Sequence, residues 1–216
     1  MINTNLDNSI NELKECSIEM IVKCERMIKL AIESMLEKDL EKAKRVKRKD
    51  YEINKLREVI RDKSIELIAL KQPMARDLRY VHSLSVVANE LERIGDYATN
   101  IADETIQIID EEYSELKNIS KMYIICSEML ISLKDALNNE DTTLSREIAK
   151  RDDEVDALYK QTRLDCVRLM NEKDDYINQG IQFLFVARHL ERIGDHITNI
   201  CEKIVFVVEG EVVNIG

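Results

Sequence analysis

The amino-acid sequence predicts an all-α protein built from two tandem, pseudo-symmetric three-helix bundles, with six long antiparallel helices in all. One proline and five glycines occur in 216 residues, so few positions break a helix. Apolar residues recur at alternating steps of three and four over long segments, as on the buried face of a helix. The six residues LERIGD at 91–96 return unchanged at 190–195, and nine of the eleven positions from 91 to 101 match at this offset of 99. A self-match of this kind indicates an internal duplication.

The first predicted bundle holds three helices, at about residues 5–38, 39–70 and 73–111. Asp39 can cap the second helix. Pro73 can open the third, because a proline at a first helical position lacks only an N–H that would be unpaired anyway. Each helix carries an apolar stripe: Leu13, Met20 and Met27; then Val46, Ile53, Ile60 and Leu67; then Leu84, Val87, Leu91, Ile94, Ala98 and Ile101.

The second predicted bundle holds helices at about residues 115–138, 142–170 and 174–208. Asn139 or Asp141 can cap the middle one, whose core side carries Ile148 and Val155. Short connections imply antiparallel neighbours. The connection between the third and fourth predicted helices divides the chain, so the two bundles are predicted to cover residues 1–112 and 113–216. The last helix has unbroken heptad order, with the coiled-coil-like seam Phe183, Val186, Leu190, Ile193, Ile197, Ile200, Ile204 and Val207.

Composition and charge exclude several classes of protein. A net charge of -10 argues against nucleic acid as the main partner, because phosphate binding needs a basic surface. No apolar run approaches the roughly 18 residues needed to span a bilayer, and the polar residues 1–5 do not resemble a signal peptide. The five cysteines are scattered, without a C-x-x-C pair. We therefore expect a cytoplasmic protein with reduced thiols.

The duplicated motif repeats a pair of carboxylates, Glu92 with Asp96 and Glu191 with Asp195. With Leu91 at heptad position a, both members of a pair fall on the face turned away from the apolar seam, where residues four apart can reach one point in space. Like charges at this spacing cost an isolated helix a few tenths of a kcal/mol, so the arrangement calls for a cation. The adjacent arginines project about 100° around the helix, whereas a hard cation such as Mg²⁺, Mn²⁺, Ca²⁺ or ferric iron accepts oxygen ligands.

The middle helices supply further polar residues at the same spacing. Asp50 and Asn54 stand four apart, as do Asp152 and Asp156, and each set flanks its helix's apolar stripe. The asparagine makes the first set the weaker source of ligands. The alternative interpretation of all these acidic pairs is a solvated helix face. Gly95 and Gly194 lie in mid-helix, where glycine costs about 1 kcal/mol relative to alanine, which favours close approach of a neighbouring helix over a ligand.

These residues resemble the PhoU family of phosphate-signalling regulators. LERIGD followed by TNI occurs twice, and residues 73–79 (PMARDLR) are similar to the family's P-x-A-x-DLR element. The helix-two residues around Asp50 and around 149–156 are similar to further family signatures. The resemblance implies multinuclear iron or zinc clusters held through E/DxxxD motifs. By position, the implied metal ligands are Glu92, Asp96, Glu191 and Asp195, with Asp50, Asp152 and Asp156 contributing from the facing helices.

The resemblance also implies a role: negative regulation of the phosphate-starvation response. The implied partners are the ATPase subunit of the phosphate ABC transporter and a phosphate sensor histidine kinase, with membrane contact only through them. A homodimer or higher oligomer is implied as well.

The sequence is also compatible with other functional classes of protein. The chain could serve another phosphate permease, or it could be a metal-storage or metal-responsive helical protein. A ferritin-type metalloenzyme needs Glu-x-x-His motifs, and none occurs in the sequence, so we expect a non-enzyme. The basic run at residues 42–49 is interpreted as a solvated helix face or as a docking surface for an acidic partner. His82, His189 and His196 share no metal-binding spacing and are interpreted as structural or solvent-facing.

Overall fold

The structure, a computed structural model, describes residues 4–112 and 117–216. Within these ranges every regular element is a helix, which confirms the all-α prediction. The elements are α1 Thr4–Leu36, α2 Leu40–Lys71, α3 Ala75–Ile108, α4 Lys117–Asn139, α5 Thr142–Lys150, α6 Asp152–Glu172, a short 3-10 helix Asp174–Tyr176, and α7 Ile177–Glu209.

The helices form two bundles that share one core. In the first, α1, α2 and α3 pack against one another, and in the second α4, α6 and α7 do the same, with α5 against α4 and α7. The bundles meet where α1 packs on α4 and α3 packs on α7. The predicted two-bundle architecture is therefore confirmed. The predicted boundary between residues 112 and 113 lies at a stretch, 113–116, outside the described residues, and it stays a prediction.

The capping residues act as the sequence predicts. Asp39 Oδ1 accepts a hydrogen bond from the Lys42 backbone N–H at 3.0 Å, and Asp141 Oδ1 accepts one from Leu144 at 2.9 Å. The third helix begins at Ala75 rather than at Pro73. The later start reflects the extended backbone of Met74, with φ -120° and ψ 155°, which follows the left-handed turn at Gln72.

The fifth predicted helix, 142–170, is interrupted at Arg151. The Arg151 N–H bonds to Ile148 O at 3.0 Å and the Glu154 N–H bonds to Arg151 O at 3.1 Å, so the backbone tightens to i→i+3 bonds there. No glycine or proline signals this break in the sequence. Its consequence is that Asp152 becomes the first residue of α6.

The apolar seams lie in the interior and fix the orientation of the duplicated motifs. Leu91, Ile94, Leu190 and Ile193 are all fully buried. Since the motif is helical in both copies, burial of these residues directs the carboxylates of the motif toward the rim of each bundle. Among the described residues, no helix is long and apolar enough to cross a membrane.

Candidate metal centre: two acidic clusters

The first acidic cluster consists of Asp50 and Asn54 on α2 with Glu92 and Asp96 on α3. The Asn54 side-chain amide donates to Asp50 Oδ2 at 2.7 Å, while Asp50 Oδ1 is buried and, among the described residues, has no hydrogen-bond partner. Burial, and then the charge of Asp96, raises the pKa of Asp50 above its usual range. The pKa of Glu92 is raised by the same two causes. The two helices thus bring their carboxylates close enough for mutual repulsion.

Arginines pair with the two α3 carboxylates of this cluster. Arg57 Nη1 lies 3.5 Å from Glu92 Oε1, and Arg93 Nε lies 3.6 Å from Glu92 Oε2. Arg93 also reaches Asp96, with 3.2 Å between Nη1 and Oδ2. The inference that the neighbouring arginine projects away from the acidic pair is therefore wrong. A helical-wheel angle describes Cβ directions, and the long arginine side chain bends back across one turn.

The second acidic cluster consists of Asp152 and Asp156 on α6 with Glu191 and Asp195 on α7. Burial raises the pKa of Asp152 to about 7, and the charges of Asp195, Asp156 and Glu191 act in the same direction. The pKa of Glu191 is raised by burial and by Asp195. Asp152 Oδ1 and Glu191 Oε2 are buried and lack hydrogen-bond partners among the described residues. This cluster concentrates more negative charge than the first, because Asp156 stands where the first has Asn54.

The second cluster has its own arginines. Arg188 Nη1 donates to Glu191 Oε1, and Arg192 Nη1 lies 3.1 Å from Asp195 Oδ2. Arg192 Nε also lies 3.7 Å from Glu191. Arg192 thus bridges the Glu/Asp pair as Arg93 does in the first bundle. In the described part of the chain, no arginine forms an ion pair with Asp152.

The acidic pairs are less exposed than the heptad assignment predicts. Only 14% of the Glu92 side chain and 12% of the Glu191 side chain are accessible to solvent. For Asp96 and Asp195 the figures are 36% and 39%. The prediction that the pairs face outward is wrong for the glutamates, because heptad position b in a three-helix bundle flanks the middle helix rather than facing water.

The mid-helix glycines admit the neighbouring helix, as predicted. A Cβ on Gly95 would lie 3.3 Å from Ile53 Cγ2, and a Cβ on Gly194 would lie 2.1 Å from Asp152 Oδ1. In the second bundle, therefore, the approaching group is one of the candidate ligands itself. Gly194 makes the space in which the Asp152 carboxylate rests against α7.

The donor chemistry of both clusters fits a hard cation, but the side chains are not arranged as a finished coordination shell. The donors are carboxylate oxygens, and three of them, on Asp50, Asp152 and Glu191, are buried with no hydrogen-bond partner among the described residues. Across the ranges that the structure describes, no three His, Cys, Asp or Glu side chains converge as metal ligands. Arginines already pair with Glu92, Asp96, Glu191 and Asp195, so a cation would compete with them for these carboxylates. The seven predicted ligands stay a prediction.

A polar cluster between the bundles was not anticipated from the sequence. His196 Nδ1 lies 2.7 Å from Glu90 Oε2, and the Asn199 amide donates to the same oxygen at 3.0 Å. The Tyr97 ring contacts the rings of His189 and His196, with centroids 5.7 and 5.5 Å apart. These residues join α3 to α7. No short spacing could reveal them, because each pair lies about a hundred residues apart in the chain.

Fold and site together define a duplicated helical protein of two bundles, with an acidic pair on the last helix of each bundle. A family model, the PhoU domain, matches residues 18–105 and 119–204, once in each bundle. The chain belongs to the PhoU family.

Full-length relatives agree with this assignment. The phosphate-specific transport system accessory protein PhoU homolog of Clostridium acetobutylicum is 33% identical over 97% of this chain and 97% of its own length. The homolog of Deinococcus radiodurans is 30% identical over 95% of this chain and 97% of its own.

Solved structures match the fold. The phosphate transport system regulatory protein PhoU from Streptococcus pneumoniae superposes with a TM-score of 0.91 at 29% identity, over 97% of this chain and 99% of that one. PhoU from Pseudomonas aeruginosa superposes with a TM-score of 0.90 at 28% identity, over 95% and 99%.

Proposed function

We propose that this chain is a regulator of phosphate uptake and of phosphate-starvation signalling. The observation that carries the proposal is the match to accessory proteins of the phosphate-specific transport system over nearly the whole of both chains. Both bundles contribute to that match, so the proposal concerns the complete two-bundle unit rather than one shared module.

In its finer form, the proposal makes the protein a cytoplasmic negative regulator. It would couple the ATPase subunit of a phosphate ABC transporter to a phosphate sensor histidine kinase, and thereby reach the membrane only through these partners. The five free cysteines are compatible with a reducing compartment. We also propose that the chain acts as a homodimer or higher oligomer, which sedimentation equilibrium of the purified protein tests directly.

A gene deletion tests the regulatory role. Cells lacking the gene should produce alkaline phosphatase in phosphate-replete medium, and the intact gene supplied in trans should restore repression. Unchanged repression in the deletion strain would contradict negative regulation. A neighbouring operon for another permease, with phosphatase unaffected, would instead favour a role with that permease.

We further propose that the two acidic clusters bind metal ions, with iron or zinc as the expected elements. Glu92, Asp96 and Asp50 would hold the ion in the first cluster. In the second cluster the ligands would be Glu191, Asp195, Asp152 and Asp156. The support is the set of buried carboxylate oxygens without hydrogen-bond partners among the described residues. Burial, and then mutual repulsion, also raises the pKa values of Asp50, Asp152, Glu92 and Glu191.

A bound multivalent cation would supply positive charge to Asp50 and Asp152, which form no ion pair among the described residues. It would also compete with the arginines for Glu92 and Glu191. Arg188 and Arg192 would then be released from Glu191 and Asp195, and become free to meet an acidic or phosphorylated surface. Metal binding would also release protons, since Asp152 titrates near neutrality.

Metal content of matched variants tests the binding proposal. Protein purified without chelator should contain metal, and Glu191→Ala with Asp195→Ala should remove a larger share of it than Glu92→Ala with Asp96→Ala. Glu58 and Asp62 form an exposed pair at the same spacing on α2, so Glu58→Ala with Asp62→Ala is the control and should change nothing. Equal metal content in all four proteins would refute the assignment.

A further inference from the structure

The chain does not leave the molecule at the end of α7. Gly210, with φ 80°, caps the helix, and its N–H bonds to Phe206 O at 3.0 Å. The segment beyond it has a bend at Glu211 and no regular secondary structure. Val213 and Ile215 are half-buried, while the residues between and before them are exposed. This alternation is typical of an extended chain lying on a surface. Ile215 packs against the apolar core.

The path leads back along α7 to the second acidic cluster. Six extended residues from Gly210 span about 20 Å, and twelve helical residues back to Thr198 span about 18 Å, so the two lengths agree. A Cβ on Gly216 would lie 2.5 Å from Thr198 Cγ2, which places the backbone there directly on α7. The Ile215 N–H donates to Glu202 Oε1 at 3.3 Å. We call residues 213–216 the C-terminal strap.

The strap forms one wall of a cavity over the second cluster. The cavity has a volume of about 430 Å³, enough for a cation with several waters. Both α6 and α7 line it with groups of the proposed metal site, and the strap adds Asn214 and Gly216. The residues that matter here are Asp152, Asp195, Thr198, Glu202, Asn214 and Gly216.

The corresponding place in the first bundle is built differently. Asp103 stands at the position of Glu202, 99 residues earlier, and it pairs with Lys47 at 2.7 Å. The middle helices of the two bundles match at an offset of 102 residues. At this offset, the residue of the second bundle that corresponds to Lys47 is Ala149. The second bundle therefore lacks the lysine, and the backbone N–H of Ile215 meets Glu202 instead. The strap thus pairs with Glu202 in the second bundle, as Lys47 of α2 pairs with Asp103 in the first.

We propose that the C-terminal strap controls entry to and release from the second acidic cluster, which makes the two duplicated sites unequal in exchange rate. The first cluster exchanges its cation freely, and the second retains its cation behind the strap. Asn214, whose side chain carries an uncharged oxygen, is one of the residues that line the cavity. This inference rests on the cation binding proposed above.

The test uses the 216-residue chain carrying Glu92→Ala and Asp96→Ala, so that only the second cluster binds. Zn²⁺ is loaded and then removed by an excess of chromogenic chelator in a stopped-flow instrument. Ile215→Asp should detach the strap from α7, because it places a charge where Ile215 packs against the apolar core. Val212→Asp adds the same charge before the strap, at a residue that is 85% exposed. We expect Ile215→Asp to release Zn²⁺ at least about tenfold faster than Val212→Asp and the parent.

The outcomes separate the two proposals. Equal release rates in Ile215→Asp and Val212→Asp would overturn the strap proposal alone. If even the parent protein binds no Zn²⁺, the cation-binding proposal fails and the strap proposal fails with it. A chain ending at Gly210 should release Zn²⁺ as fast as Ile215→Asp.

A second measurement needs no metal. Exchange of the Ile215 amide proton, monitored by NMR in the metal-free protein, should be slow in the parent and in Val212→Asp and fast in the strap variant. Exchange in the parent at the rate of an unstructured peptide would overturn the proposal whatever the zinc data show.

Discussion

Asp152 shows how a single residue can be both structurally costly and chemically useful. Its carboxylate is packed against the backbone at Gly194 and surrounded by the charges of Asp195, Asp156 and Glu191. The duplication and the four-residue spacing predicted which residues would gather here. The arginine contacts and the burial of Glu191 were not predictable, because they depend on side-chain reach and on the exact position of the neighbouring helix.

The metal-free protein should lose stability as the pH rises from about 4 to about 7. The folded-state pKa of Asp152 is raised from 3.8 to about 7, so the folded protein favours the protonated carboxyl group. The stability that this preference contributes is fully present below pH about 4 and is lost as the pH rises through about 7. Asp152→Asn should therefore stabilise the protein at pH 8 by about 1–2 kcal/mol, discounted for partial exposure, and have little effect at pH 4.

Urea unfolding with a chelator present measures the effect of Asp152→Asn at both pH values. The exposed residue Asp62, changed to Asn, is the control and should show no such pH dependence. A stability difference for Asp152→Asn that is the same at pH 4 and pH 8 would contradict the assigned protonation. Added metal should reduce the advantage of the variant, because a cation favours the charged carboxylate.

The helices bring the acidic side chains of each cluster together by packing closely against one another. Their positions could be predicted from the sequence, but one break between them could not. Apolar periodicity and the caps at Asp39 and Asp141 located the helices to within a few residues. The break at Arg151 escaped prediction because it arises from tightened hydrogen bonds rather than from a breaking residue. The basic run on α2 lies on its outer side, where some lysines pair with carboxylates, for example Lys47 with Asp103.

The two mid-helix glycines should respond in opposite ways to alanine. In Gly95→Ala the new Cβ meets the side chain of Ile53 at 3.3 Å, a contact that a small shift relieves, so the protein should gain up to about 1 kcal/mol from helix propensity. In Gly194→Ala the Cβ would lie 2.1 Å from Asp152 Oδ1, so the carboxylate must move and the gain is lost.

Chemical unfolding and Zn²⁺ titration distinguish the two alanine variants. Gly194→Ala should weaken binding at the second cluster about tenfold or more, whereas Gly95→Ala should leave binding at the first cluster nearly unchanged. Equal effects of the two substitutions on both measurements would show that Asp152 does not rest on α7 as described.

The whole molecule is more unified than its duplicated sequence indicates. The repeat predicted two bundles, and the family match places one domain in each, yet α3 packs on α7, α1 packs on α4, and the buried residues form one continuous cluster. The contact of His196 with Glu90 adds a polar link across the same interface. A repeat reveals the unit that was copied. The surface on which the copies meet is not part of the repeated pattern, so the sequence could not predict it.

A shared core predicts that the two bundles unfold together. Leu91 and Leu190 are equivalent, fully buried residues, one in each bundle. Changing either to alanine should cost about 2–5 kcal/mol and lower the midpoint of a single thermal transition by roughly 4–20 °C. Calorimetry of both variants measures this, with the exposed Leu70→Ala as the control. Independent bundles would behave differently: Leu91→Ala would split the transition and leave the half containing Leu190 at its original temperature. Because the α3–α7 interface separates the two acidic clusters, a single transition would also mean that a cation bound to one cluster stabilises the helices that carry the other.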